Sequence, residues 1–130
     1  MQNKQFFICV DGVYVKDGKI LLLKRALEPF KGCWHVVGGH VEKIKSLEAA
    51  VKREFKEETD LDATIGSIID SRIEETHDRI KVIVVFEVTS QDKIRLNSEN
   101  EAYGWFDEIP RDSVYNYAKC LPNKKANSNA

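Results

Sequence analysis

No apolar run in this chain is long enough to cross a bilayer. The longest uninterrupted stretches, 6–10 and 82–86, fall far short of the roughly 20 residues that a spanning helix needs, so no membrane partner is expected. Asp11 cuts the first stretch before a hydrophobic signal region of about 7–15 residues can form. Cysteine is sparse and odd in number. Cys9, Cys33 and Cys120 have no C-x-x-C spacing, which argues against a disulfide framework or structural zinc and for a reducing, cytoplasmic compartment. An excess of either charge is missing as well: 20 Lys+Arg stand against 21 Asp+Glu, for a net charge of -1. That balance excludes a broad basic surface for duplex DNA.

What remains is an ordinary globular composition, with 42% hydrophobic and 32% charged residues in 130 positions. It predicts a single domain over 1–122, followed by a polar, flexible tail at 123–130. The chain opens with a hairpin signal: β-branched and aromatic residues over 6–15, a turn at Lys16-Asp17-Gly18-Lys19, and a second apolar run at 20–24. A short strand at 34–37 runs into Gly38-Gly39, where the backbone needs either positive φ or a close approach by another group. From Ser46, a plausible N-cap, the period turns helical, and the helix is expected to end near Thr59-Asp60. Strands follow at 64–74, 80–89 and 103–106, then a short amphipathic helix at 112–121. Strands interleaved with one long and one short helix predict an α/β fold, a mixed sheet packed between helices.

The long helix carries an anomaly. Leu47, Val51 and Phe55 share one side, with Lys52 and Lys56 roughly opposite. Glu54, Glu57 and Glu58 cluster at i, i+3 and i+4, and their arc overlaps the apolar one. Carboxylates are seldom buried unpaired, and three in one turn repel each other. Arg53 reaches Glu57 at i+4 but leaves charge over. Two readings stand on this helix alone: a solvated acidic patch, or a site for a hard divalent cation such as Mg²⁺, which binds through one or two carboxylates, waters and phosphate oxygens. The double glycine leading into the helix favours the second, because it brings backbone groups near the carboxylates.

With these residues in place, the chain resembles the Nudix hydrolases, whose signature is G-x5-E-x7-R-E-U-x-E-E-x-G-U with U apolar. Gly39, Arg53, Glu54, Phe55, Glu57, Glu58 and Leu61 match at the right spacings, while Lys45 replaces the first glutamate and Asp60 the last glycine. Asp tolerates the left-handed conformation that a glycine after a helix often adopts. The resemblance implies an α/β/α sandwich around a mixed sheet. It also implies Mg²⁺-dependent hydrolysis of a pyrophosphate bond in a small nucleoside diphosphate derivative, with Mn²⁺ as a substitute metal. In that scheme Gly38, Glu54, Glu57 and Glu58 hold metal, and Glu54 or a loop acid, Glu101 before Glu99, assists the water. Arg53 holds the glutamates, and Arg25 and Gly39 face substrate; Lys45, outside the family pattern, either salt-bridges the acidic cluster and weakens metal binding or contacts a substrate phosphate. Trp34, Trp105, His35 and His40 read as structural. The two departures keep an alternative open: a catalytically impaired domain that binds a nucleotide metabolite as a sensor. The proline associated with ADP-ribose-hydrolysing members is absent downstream of the glycines. A homodimer is left open.

Overall fold

The computed structural model describes residues 3–42 and 46–122. Seven strands and one α-helix follow in the order β1 (Gln5–Lys16), β2 (Lys19–Arg25), β3 (Trp34–His35), β4 (Val37–His40), α1 (Leu47–Thr59), β5 (Thr64–Glu75), β6 (Arg79–Thr89) and β7 (Asn100–Phe106). The expected hairpin is present. Asp17 and Gly18 both take positive φ, at 54° and 77°, which lets two residues reverse the chain between β1 and β2.

β1 organises the sheet. Its length pairs parallel to β6 from Gln5↔Arg79 to Tyr14↔Val88, its middle pairs antiparallel to β4, and its end pairs with β2. β2 is bracketed by β7 along one edge and by β3 at its far end, and β5 closes the other side against β6. The strand predicted at 34–37 is therefore two strands, one paired to β2 and one to β1, with the chain crossing between them at Val36.

Both faces of the sheet are covered, which is why β2 reads as an unbroken apolar run. Leu21 and Leu23 face α1, where Ala50, Val51 and Phe55 pack on Val10, Val37, Phe86 and Val88. Ile20 and Leu22 face the other way, with Cys9, Val13, Ile83 and Val85, under Tyr117 and Leu121. Phe55 sits so close to β1 that a Cβ at Gly12 would collide with its ring.

The second covering layer differs from expectation. No α-helix forms over 112–121; only Ala118–Cys120 makes one 3-10 turn. The cause is upstream. Trp34 N–H donates to the Asp112 carbonyl at 2.9 Å and Val114 N–H to the Trp34 carbonyl at 2.9 Å, so Ser113 runs as a parallel bridge beside Trp34. Backbone tied to a strand edge cannot also close helical hydrogen bonds. Tyr117 and Leu121 are still buried, through an irregular path.

Candidate active site

Helix α1 sets the carboxylates by its ends. The Ser46 hydroxyl accepts from Ala49 N–H at 3.1 Å, as an N-cap does. Asp60 closes the helix in the left-handed conformation at φ 62°, its N–H donating to the Lys56 carbonyl at 3.1 Å. Lys45, expected at the acidic cluster or at a substrate phosphate, lies outside the described residues. Between these caps, Glu54 and Glu58 are buried among the apolar residues, whereas the Glu57 side chain is 56% exposed.

Strand β4 supplies the facing wall. Neither Gly38 nor Gly39 has positive φ, so close approach is the reason for both glycines. A Cβ at Gly39 would collide with Glu54 Oε2, and one at Gly38 with Asp11 Oδ1 and the Val10 carbonyl. Gly38 N–H donates to Glu58 Oε2 at 3.4 Å. Arg53 ties helix to strand: Nη2 donates to the His40 carbonyl at 3.2 Å, and the guanidinium lies 3.8 Å from both Glu54 and Glu57. Its Nε is buried without a hydrogen bond.

Asn100 completes the pocket. Buried at the start of β7, it donates from Nδ2 to Glu58 Oε1 at 3.4 Å, and its Oδ1 lies 2.8 Å from His35 Nε2. His35 Nδ1 is 2.7 Å from the Val36 carbonyl across the break between β3 and β4. Burial keeps this imidazole below its ordinary pKa. Sequence reasoning missed Asn100 because an asparagine near a strand start carries no periodic or motif signal.

Of the remaining predicted residues, Arg25 stands at the end of β2, with Nε donating to the carbonyls of Leu27 at 3.2 Å and Pro29 at 3.0 Å. It lines a cleft of about 280 Å³ together with Asp11, His35, Gly38, Gly39 and Arg72. Glu101 is exposed on β7 and is not among the hydrogen-bond or ion-pair partners of these carboxylates. The acid whose charge reaches Glu54 and Glu58 is Glu99. A larger hollow of about 820 Å³, lined by Val13, Asp70, Glu87 and Leu121 among others, contains none of these groups.

The electrostatics call for a cation. Burial, and after it the charge of Glu57, pushes Glu54 up to about 7. Burial, and after it the charge of Glu54, pushes Glu58 up to about 8. Two buried carboxyl groups crowded by neighbouring carboxylates are the environment that a hard divalent ion relieves. The oxygen-only donor set fits Mg²⁺ or Mn²⁺. It does not form a closed cage: among the described residues no three His, Cys, Asp or Glu side chains converge on one metal position. An ion held by two carboxylates and a backbone carbonyl would therefore keep positions for water and substrate oxygens, as Mg²⁺ commonly does.

A NUDIX domain model matches residues 7–123. The chain belongs to the Nudix hydrolase family. It is 50% identical over 62 residues to an ADP-ribose pyrophosphatase of Methanocaldococcus jannaschii, a match covering 48% of this chain and only 37% of that protein's length. To a CTP pyrophosphohydrolase of Escherichia coli it is 32% identical over 97 residues, covering 74% of this chain and 72% of that protein. The solved structure of a MutT Nudix hydrolase from Burkholderia pseudomallei superposes with a TM-score of 0.72 at 30% identity, over 86% of this chain and 92% of that one.

Proposed function

We propose that this chain hydrolyses a pyrophosphate bond in a small nucleoside diphosphate derivative, using Mg²⁺ with Mn²⁺ as a substitute. The observation that carries the reading is the pair of buried carboxylates, Glu54 and Glu58, packed against the side-chain-free wall of Gly38 and Gly39 in a chain of this family. ADP-ribose and CTP, in the names of two relatives, both contain a pyrophosphate linkage on a nucleoside. In this reading the chain works in a reducing, cytoplasmic compartment, and Cys9, Cys33 and Cys120 are all free thiols.

Glu57, Glu58 and the Gly38 carbonyl would hold the metal, which when bound neutralises phosphate oxygens and lowers the pKa of water. The chain's own residues do the rest. Glu54, fixed between Gly39 and Arg53, takes the proton that water releases as its oxygen bonds to phosphorus. The anhydride P–O bond breaks, and the leaving phosphate keeps the electron pair. Arg53 holds the Glu54–Glu57 edge against the His40 carbonyl, Asn100 and Gly38 N–H orient Glu58, and Arg25 faces the phosphates from the cleft. Glu99 replaces Glu101 as the accessory acid in this proposal, since its charge reaches the pair.

The test is release of phosphorylated products from a panel of nucleoside di- and triphosphate derivatives, with Mg²⁺, with Mn²⁺ and with EDTA. Turnover is expected only with metal. Removing an outer-shell partner of a metal site costs about 10–100-fold, so Glu58→Gln and Glu57→Gln should each lower kcat/KM by at least about a hundredfold. Tight nucleotide binding with every derivative left intact would support the sensor alternative instead.

A further inference from the structure

The sheet face turned away from α1 carries a second set of charges that hydrolysis leaves unused. Asp11 on β1 is the register partner of Gly38, so the cleft begins on the reverse of the wall that faces the glutamates. Asp11 Oδ2 accepts from Arg72 Nη1 at 3.4 Å, and Arg72 Nε donates to Glu74 Oε2 at 2.9 Å. The guanidinium carbon lies 3.8 Å from the centroid of the Tyr115 ring, which fixes its plane. Asp11 and Arg72 are mostly buried, with side chains 15% and 16% exposed.

This pair is half used. Asp11 Oδ1 accepts no hydrogen bond from any described residue, yet it is not sealed from solvent. A guanidinium carries five N–H donors, and Arg72 spends one on Asp11 and one on Glu74. The cleft thus offers one free acceptor beside several free donors. Phe30, 60% exposed, stands at its rim as a face on which a planar ring can stack.

We propose that Asp11 and Arg72 read the pairing edge of cytosine, which makes a cytidine nucleotide the substrate; this rests on the reading of the glycine wall as the diphosphate site. Along that edge cytosine presents an amino donor and then two acceptors, N3 and O2. Asp11 Oδ1 takes the amino group, as carboxylates do with this base, and Arg72 donates to the acceptors. Uracil sets a carbonyl against Asp11, leaving two acceptors face to face. A cleft of about 280 Å³ lies just below the usual range of about 300–1,000 Å³ for ligand pockets and suits one ring better than two.

The test is equilibrium binding of CMP, UMP, AMP and GMP to the full chain by calorimetry. CMP is expected to bind at least about tenfold more tightly than UMP, the equivalent of one buried group left unpaired. In Asp11→Asn, whose amide also donates, the CMP-to-UMP ratio should fall to about one while the melting transition stays cooperative. Equal binding of CMP and UMP to the unmodified chain, or tighter binding of a purine monophosphate, overturns the proposal without any variant. An unchanged ratio in a folded Asp11→Asn overturns the role of Asp11. A CMP preference without hydrolysis of CTP or CDP derivatives sinks the hydrolase reading alone. Hydrolysis of all bases with equal kcat/KM sinks the base reading alone.

Discussion

Two neighbouring glycines answer to different constraints. At Gly38 an added methyl group meets the Val10 carbonyl, which is backbone and cannot step aside; at Gly39 it meets the end of the Glu54 side chain, which can. Gly38→Ala should therefore destabilise the fold by about 1–3 kcal/mol, read from the denaturation midpoint, as overpacking does. Gly39→Ala should melt close to the unmodified chain yet bind Mn²⁺ at least about tenfold more weakly in a titration, because Glu54 is displaced from the wall it faces. A pair of variants that fails to separate in this way would show that the two residues share one role. The motif spacing pointed to both glycines, but not to why each is needed. The reason lies in Asp11 and Glu54, which approach from opposite faces.

Helix α1 was legible almost entirely from local chemistry. Ser46 and Asp60 fix its ends by capping, and the overlap of the acidic and apolar arcs already placed Glu54 and Glu58 inward. Ser46→Ala should cost about 1 kcal/mol in chemical denaturation, with an unchanged slope. The segment at 112–121 misled for the complementary reason. Its apolar spacing suits a helix, but Trp34, nearly eighty positions earlier, claims its backbone groups. Partners of that kind leave no trace in a window of ten residues. Asn100 beside Glu58 and Arg72 beside Asp11 belong to the same class. Each polar group finds its meaning only when residues 42 and 61 positions apart are brought together. The family resemblance points to a loop acid, Glu101 before Glu99; in the fold the charge of Glu99 is felt at Glu58, after larger effects of burial and Glu54.

At the scale of the whole molecule the buried acids couple stability to pH. Glu54 at about 7 and Glu58 at about 8 hold their protons more tightly when folded than at the ordinary value of about 4.5. Their stabilising contribution is complete below that ordinary value and is lost as pH rises through 7 and 8. In EDTA the melting temperature should fall between about pH 6.5 and pH 8.5, a window above the ordinary value of His35 and clear of its lowered one. Mg²⁺ competes with these protons, so the rise in melting temperature on adding it should be larger at the upper end. A metal-induced rise that is independent of pH would place the ion elsewhere.

The parallel pairing of β1 with β6 also governs when the molecule comes into being. Its partners are 74 residues apart along the chain, from Gln5↔Arg79 to Tyr14↔Val88. A ribosome adds about 5–20 residues per second, so Phe6, Phe7 and Ile8 emerge roughly 4–15 s before the strand that will lie beside them. During that interval the nascent chain can close the β1–β2 hairpin and draw α1 toward it, but not the central ladder. Both carboxylate clusters await β5 through β7, which bring Arg72 to Asp11 and Asn100 to Glu58. Any pause in translation before β6 leaves β1 without its parallel partner for longer.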